Sequence, residues 1–246
     1  MILYLKKSFH MLIRHKMLIW KSINRIMRPF YLLLIFLVST FSCSHIPKIY
    51  LTDFTDSEHI SEKCNSIFPD GDWRFVHSIE AKLSGGNHAF MLGATQISPR
   101  NQTIWAVMMT LEGMVLFDAF YDGKMVINRA IPPFDSEFFA QGLMEDIRLI
   151  FFQPEKIAVE IGLSGTGESI CRYHSPEEII TDVAIGQNDS LTINRYHRNR
   201  LHRTVRLYRG ETQRHPSIFQ RLELIAHKPV KYEMDLNLLE TEPLTE

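Results

Sequence analysis

The sequence predicts a mainly β domain with helices, in which a long antiparallel meander curls into a barrel or packs as a sandwich. Three observations predict it. Apolar and aromatic runs between Trp73 and Ile131 are punctuated by turn residues, in the clusters Ser84-Gly85-Gly86-Asn87 and Ser98-Pro99-Arg100-Asn101. Asp122-Gly123 joins two of those runs with a strong hairpin signal. One helical stripe, Phe139, Leu143, Ile147 and Ile150, interrupts the strands midway, where a helix can plug an incompletely closed barrel.

The elements follow in order. Thr55-Asp56-Ser57-Glu58 has the form of a capping box, and Ile60, Cys64 and Ile67 share a face of the short helix behind it, closed by Asp70-Gly71. Strands are expected from Trp73 to Leu83, His88 to Ile97, Thr103 to Met109, Met114 to Tyr121 and Lys124 to Ile131. Pro132 and Pro133 end the meander, and Asp135 or Ser136 caps a helix to about Ile150, with Pro154 beyond its end. Gly162, Gly165 and Gly167 mark a loop. Further strands are expected from Ser169 to Tyr173, Ile179 to Ile185, Leu191 to Tyr196, Val205 to Tyr208, Ile218 to Ile225 and Tyr232 to Leu238.

Composition sets the class. Of 246 residues, 45% are hydrophobic and 22% charged, an ordinary globular balance. The net charge of -1 hides an asymmetry. Residues 1–42 hold seven Lys or Arg and no acid; taking those seven from the 27 basic residues leaves 20 against 28 acids, net -8 for the rest. Phe30 to Val38 is an unbroken apolar run behind Arg25 and Arg28, too short to span a bilayer and matching the core of a signal peptide. Met27 is the favoured start, with Met11 and Met17 as others. Cys43, preceded by Thr40-Phe41-Ser42, resembles a bacterial lipobox, which implies an anchor of palmitate-type acyl chains on its thiol. The organisation is therefore a signal over 1–42, a linker over 43–54, a domain over 55–240 and a polar tail over 241–246. Cys64 and Cys171 can pair in an oxidising periplasm or remain as buried thiols; connectivity is not readable from sequence.

No catalytic or metal-binding pattern stands out. The 11 His form no His-Glu-x-x-His, there is no paired Cys-x-x-Cys, and Gly162-Leu163-Ser164-Gly165 is neither a hydrolase elbow nor a phosphate loop. No enzyme activity, metal or cofactor is expected. Arg195, Arg198, Arg200, Arg203, Arg206, Arg209 and Arg214 form the densest basic stretch. They serve either as the solvated faces and turns of edge strands or, through Arg198, Arg200 and Arg203, as contacts to lipid headgroups or an acidic partner. An acidic exported body excludes nucleic acid as a partner.

Four segments carry a resemblance: His77-Ser78-Ile79-Glu80-Ala81; Leu116-Phe117-Asp118 to Tyr121-Asp122-Gly123; Pro132-Pro133; and Gly142-Leu143-Met144-Glu145-Asp146-Ile147-Arg148-Leu149. With the leader and Cys43, this layout resembles the LolA/LolB-like lipoprotein carriers. It is most similar to LolB-like outer-membrane lipoproteins, including members associated with aryl-polyene-type lipid pathways. The resemblance implies an incomplete antiparallel β-barrel covered by helices, with an apolar cavity for an acyl chain or lipoprotein cargo. It further implies a monomer, anchored by lipid on the periplasmic face of the outer membrane, that binds a hydrophobic lipid. Phe90, Trp105, Phe117, Phe139, Leu143 and Ile147 are the expected cavity lining. Receptor-type members expose a Leu in a hairpin where Leu111-Glu112-Gly113 here carries an acid. The alternative expectation is an assembly lipoprotein with a packed interior that acts through its surface; a cavity of about 300 Å³ separates the two.

Overall fold

The computed structural model describes residues 46–51, 53–83, 86–132, 134–186, 190–210 and 215–244. Cys43 and the leader lie outside the described residues. A short strand, β1 (Ile49–Leu51), precedes helix α1 (Phe54–Asn65). Five strands follow: β2 (Trp73–Leu83), β3 (His88–Ser98), β4 (Thr103–Met109), β5 (Val115–Tyr121) and β6 (Met125–Ala130). Helix α2 (Glu137–Phe151) leads into β7 (Ala158–Ser164), β8 (Ser169–Ser175), β9 (Ile179–Ile185) and β10 (Leu191–His197). The chain ends with β11 (Arg200–Tyr208), β12 (Arg221–Ala226) and β13 (Tyr232–Pro243).

All thirteen strands join one antiparallel sheet in the order β1-β7-β8-β9-β10-β11-β12-β13-β2-β3-β4-β5-β6. The two meanders are stitched together where β13 pairs with β2, from Tyr232 opposite Leu83 to Pro243 opposite Trp73. β1 and β6 form the two ends of the order, so the sheet is open: an incomplete barrel with, among the described residues, two helices on its inner face. Alternation decides which residues face inward. Phe75, His77, Ile79 and Ala81 of β2 lie in register with Thr95, Gly93, Met91 and Ala89 of β3, and Ile104, Ala106 and Met108 continue the row on β4. β12 and β13 contribute Leu222, Leu224, Leu236 and Leu238 to the same buried core.

Several boundaries differ from expectation; β11 begins at Arg200, before the expected Val205, and β12 at Arg221, after the expected Ile218. Residues 49–51 of the expected linker form β1, seated against β7 because Gly162 has no side chain: a Cβ there would strike the Tyr50 carbonyl oxygen. The segment 158–164, read as leading into a glycine loop, is strand β7, closed by a tight turn at Gly167 with φ of 84°. Helix α1 begins at Phe54 behind Asp53, so Thr55 lies within the first turn and is not its cap. β13 runs through the expected tail to Pro243, and the Leu244 amide donates to the Asp72 carbonyl. Ser136 caps α2, its hydroxyl accepting the Phe139 amide at 3.1 Å.

Candidate functional site

Helix α2 crosses the inner face where the sheet carries its smallest side chains. Gly93, Thr95 and Ala106 form the floor; Leu143, Ile147, Ile150 and Phe151 of α2 form the roof; Met108, Met234 and Leu236 close the sides. Between them lies an apolar cavity of about 40 Å³. That is room for little more than one water-sized group, well under the roughly 300 Å³ of an ordinary ligand pocket.

Two polar groups enter this apolar space. Asp146 stands on the helix stripe, three residues after Leu143 and four before Ile150, and is only 2% exposed. Its carboxylate accepts from Arg203 Nε on β11 at 2.7 Å and from the Tyr232 hydroxyl on β13. Arg203 also donates to the carbonyls of His202 and Lys228. Burial pushes the Asp146 carboxyl above the usual carboxylate range, and the Arg203 charge and the two hydrogen bonds pull it back. The Tyr232 phenol is raised, first by burial and then by the Asp146 charge.

The second polar group is His77, 3% exposed among Phe75 and Phe151, with ring centroids 6.1 and 6.3 Å away. Burial lowers its pKa from 6.5 to about 4. The unfolded chain therefore takes up this proton near pH 6.5, while the folded domain refuses it until about pH 4. The neutral ring's contribution is whole above pH 6.5 and is lost as pH falls toward 4. Between pH 7.5 and 4.5 it amounts to about 2.5 kcal/mol. Urea unfolding of wild type and His77→Phe at both pH values checks this: the wild type is expected to lose about 2.5 kcal/mol more than the variant over that interval.

The expected site residues divide. Phe117 is fully buried in the inner core, and Leu143 and Ile147 border the cavity under α2. Phe139 is half-buried and packs edge-on against Phe134 at 5.1 Å, away from the cavity lining. Phe90 and Trp105 are corrections: they are 60% and 42% exposed, on the opposite face of the sheet. Met91, one residue after Phe90, points inward, as do Ile104 and Ala106 on either side of Trp105, and the Trp105 indole donates to Asp118 at 2.9 Å. Arg203 is also a correction, because it is spent inside on Asp146 and cannot meet a headgroup. Arg198 and Arg200 are exposed, and Arg198 pairs with Glu178 at 3.2 Å. Arg206 on β11 pairs with Glu223 on β12 at 3.3 Å. Cys64 and Cys171 are joined in a disulfide between α1 and β8.

Asp146, Tyr232 and His77 carry the interior's chemistry and were not singled out from sequence. A signal existed for two of them. Asp146 is an acid inside an apolar stripe, and His77 shares the inward parity of Phe75 and Ile79.

No protein-family model matches the chain, and no curated protein matches it. Solved structures similar in overall path include three from different bacteria. A LolA superfamily protein from Nitrosomonas europaea is 11% identical, with a TM-score of 0.49 over 77% of this chain and 94% of that one. An outer membrane lipoprotein-sorting protein domain from Vibrio parahaemolyticus is 10% identical, with a TM-score of 0.45 over 78% and 94%. A DUF1329 family protein from Desulfovibrio piger is 11% identical, with a TM-score of 0.47 over 78% and 94%.

Proposed function

We propose that the protein is a lipoprotein anchored through Cys43 on the periplasmic face of the outer membrane, and that it binds an acyl-type chain of a lipid or lipoprotein cargo between α2 and the sheet. The observation that supports this is the row of small side chains, Gly93, Thr95 and Ala106, facing the apolar roof of α2 across a residual cavity. The cavity is closed as it stands, so α2 acts as a cover that an entering chain displaces. Each methylene buried would contribute about 0.8 kcal/mol against the apolar contacts of the roof.

The test is native mass spectrometry with lipid extraction, on protein purified from its own membrane. One acyl-bearing lipid per chain is expected. Ala106→Leu, which fills the cavity, is expected to lower lipid content at least about fivefold at an unchanged fold. No lipid in the wild type, or equal lipid in both, would overturn the reading. A second reading is favoured by the small cavity itself and by a row of exposed apolar residues on the outer face, Trp105, Phe120 and Val126, beside the free edge of β6. In that case the interior is packed and the outer face does the work. Lipid is then absent, and replacing Trp105 and Phe120 with Ser abolishes function at full stability.

A further inference from the structure

A second hollow in the described domain lies elsewhere. It occupies about 280 Å³ at the C-terminal end of α2, between that helix, the β8–β9 hairpin and the inner face of β9 and β10. Leu149, Phe152 and Ile179 give it an apolar wall, and Arg148, Arg195 and Thr181 give it donors.

The donors are not equally committed. Arg148 is spent: it donates to Gln102 at 3.2 Å and to Glu155 at 3.1 Å. Glu177, the other lining acid, stands exposed on the hairpin. Arg195 is different. It sits directly opposite Thr181 in the β9–β10 register, on the inward row that includes Leu191 and Ile193. Its side chain is 24% exposed, and its ion-pair partner among the described residues is Glu145 at 3.9 Å, beyond hydrogen-bond reach. Thr181 is 3% exposed and borders the hollow. A weakly paired guanidinium and a threonine hydroxyl on facing strands, beside an apolar wall, specify a guest. The guest needs a planar or tetrahedral anion to accept from both and an apolar stem to cover the wall.

We infer that this hollow binds an organic anion, a carboxylate or phosphate monoester on a short apolar stem, with Arg195 and Thr181 holding the anion and Leu149, Phe152 and Ile179 the stem. The site is separate from the cavity beneath α2 and needs neither the anchor nor an acyl ligand.

Isothermal titration calorimetry of the full chain with benzoate and phenyl phosphate tests it. Saturable binding is expected, with neutral benzamide, and stemless acetate and inorganic phosphate, each at least about tenfold weaker. Arg195→Gln is expected to weaken both anions about tenfold and Thr181→Val about threefold, while Arg198→Gln, outside the hollow, changes nothing. Thermal melts report whether each variant folds; should Arg195→Gln not fold, Thr181→Val and the benzamide comparison still decide. Equal affinity for benzamide, unchanged affinity in folded Arg195→Gln or Thr181→Val, or no heat at about 10 mM ligand would overturn the assignment. Inorganic phosphate binding as tightly as phenyl phosphate would overturn the role of the apolar wall.

Discussion

Arg203→Met, with Asp146 left in place, is expected to lower the unfolding free energy by about 3–5 kcal/mol at pH 7. The size comes from what remains behind. Asp146 is 2% exposed, and without Arg203 its charge keeps only the Tyr232 hydroxyl. Burial already pushes this carboxyl upward, so in the variant it takes up a proton, and the loss shrinks as pH falls. The double variant Arg203→Met with Asp146→Leu is expected to return to within about 1 kcal/mol of wild type, because an apolar pair of similar volume removes both desolvation costs. Urea unfolding followed by tryptophan fluorescence measures both, and an unchanged m-value certifies that the midpoint shift is a stability change. A single variant that loses under about 1 kcal/mol would show that water reaches the carboxylate. The pair's second consequence is directional. Apolar contacts under α2 are indifferent to small rotations of the helix, whereas a carboxylate held at 2.7 Å by a guanidinium fixes one.

Much of the fold was legible because alternation and turn chemistry are local. β2, β4 and β9 span the stretches that the apolar runs predicted, and Asp122-Gly123 forms the β5–β6 hairpin, with Gly123 at φ of 93°. β1 and β7 were not legible. A three-residue strand has no period to read, and β7 carries four exposed residues and a glycine whose reason is the closeness of another strand. Facing was legible in principle and misread in practice. Phe90 and Trp105 are expected in the lining, yet their parity sets them outside, opposite Glu80 on β2 and Gln96 on β3. Arg203 was unreadable from its neighbours alone. Within the basic stretch nothing distinguishes it from Arg200 or Arg206, and only the inward row of β11, with Val205 and Leu207, brings it to an acid 57 residues away.

Replacing Cys64 and Cys171 together with Ala is expected to cost about 4 kcal/mol. The bond links residues 107 apart, and a loop of that length loses much closure entropy in the unfolded chain when it is tied. The urea midpoint should fall and the m-value rise, since an untied unfolded chain exposes more surface. Both sulfurs belong to residues with no exposed surface, so a thiol reductant reaches them only when α1 has left β8 or the domain has unfolded. Reduction by dithiothreitol, followed by alkylation and mass, separates these two routes. If α1 leaves alone, reduction is fast and independent of urea at low concentration, because little surface is exposed in opening. If it leaves only with the sheet, the rate rises with urea as steeply as global unfolding does. The second result is expected. α1 lays Ile60, Cys64 and the following Ile67 and Phe68 into the same core that holds Tyr173 and Val183, and one turn of a twelve-residue helix cannot be lifted without uncovering them. A double Ala variant within about 1 kcal/mol of wild type would mean that this packing, and not the covalent tie, holds the helix to the sheet.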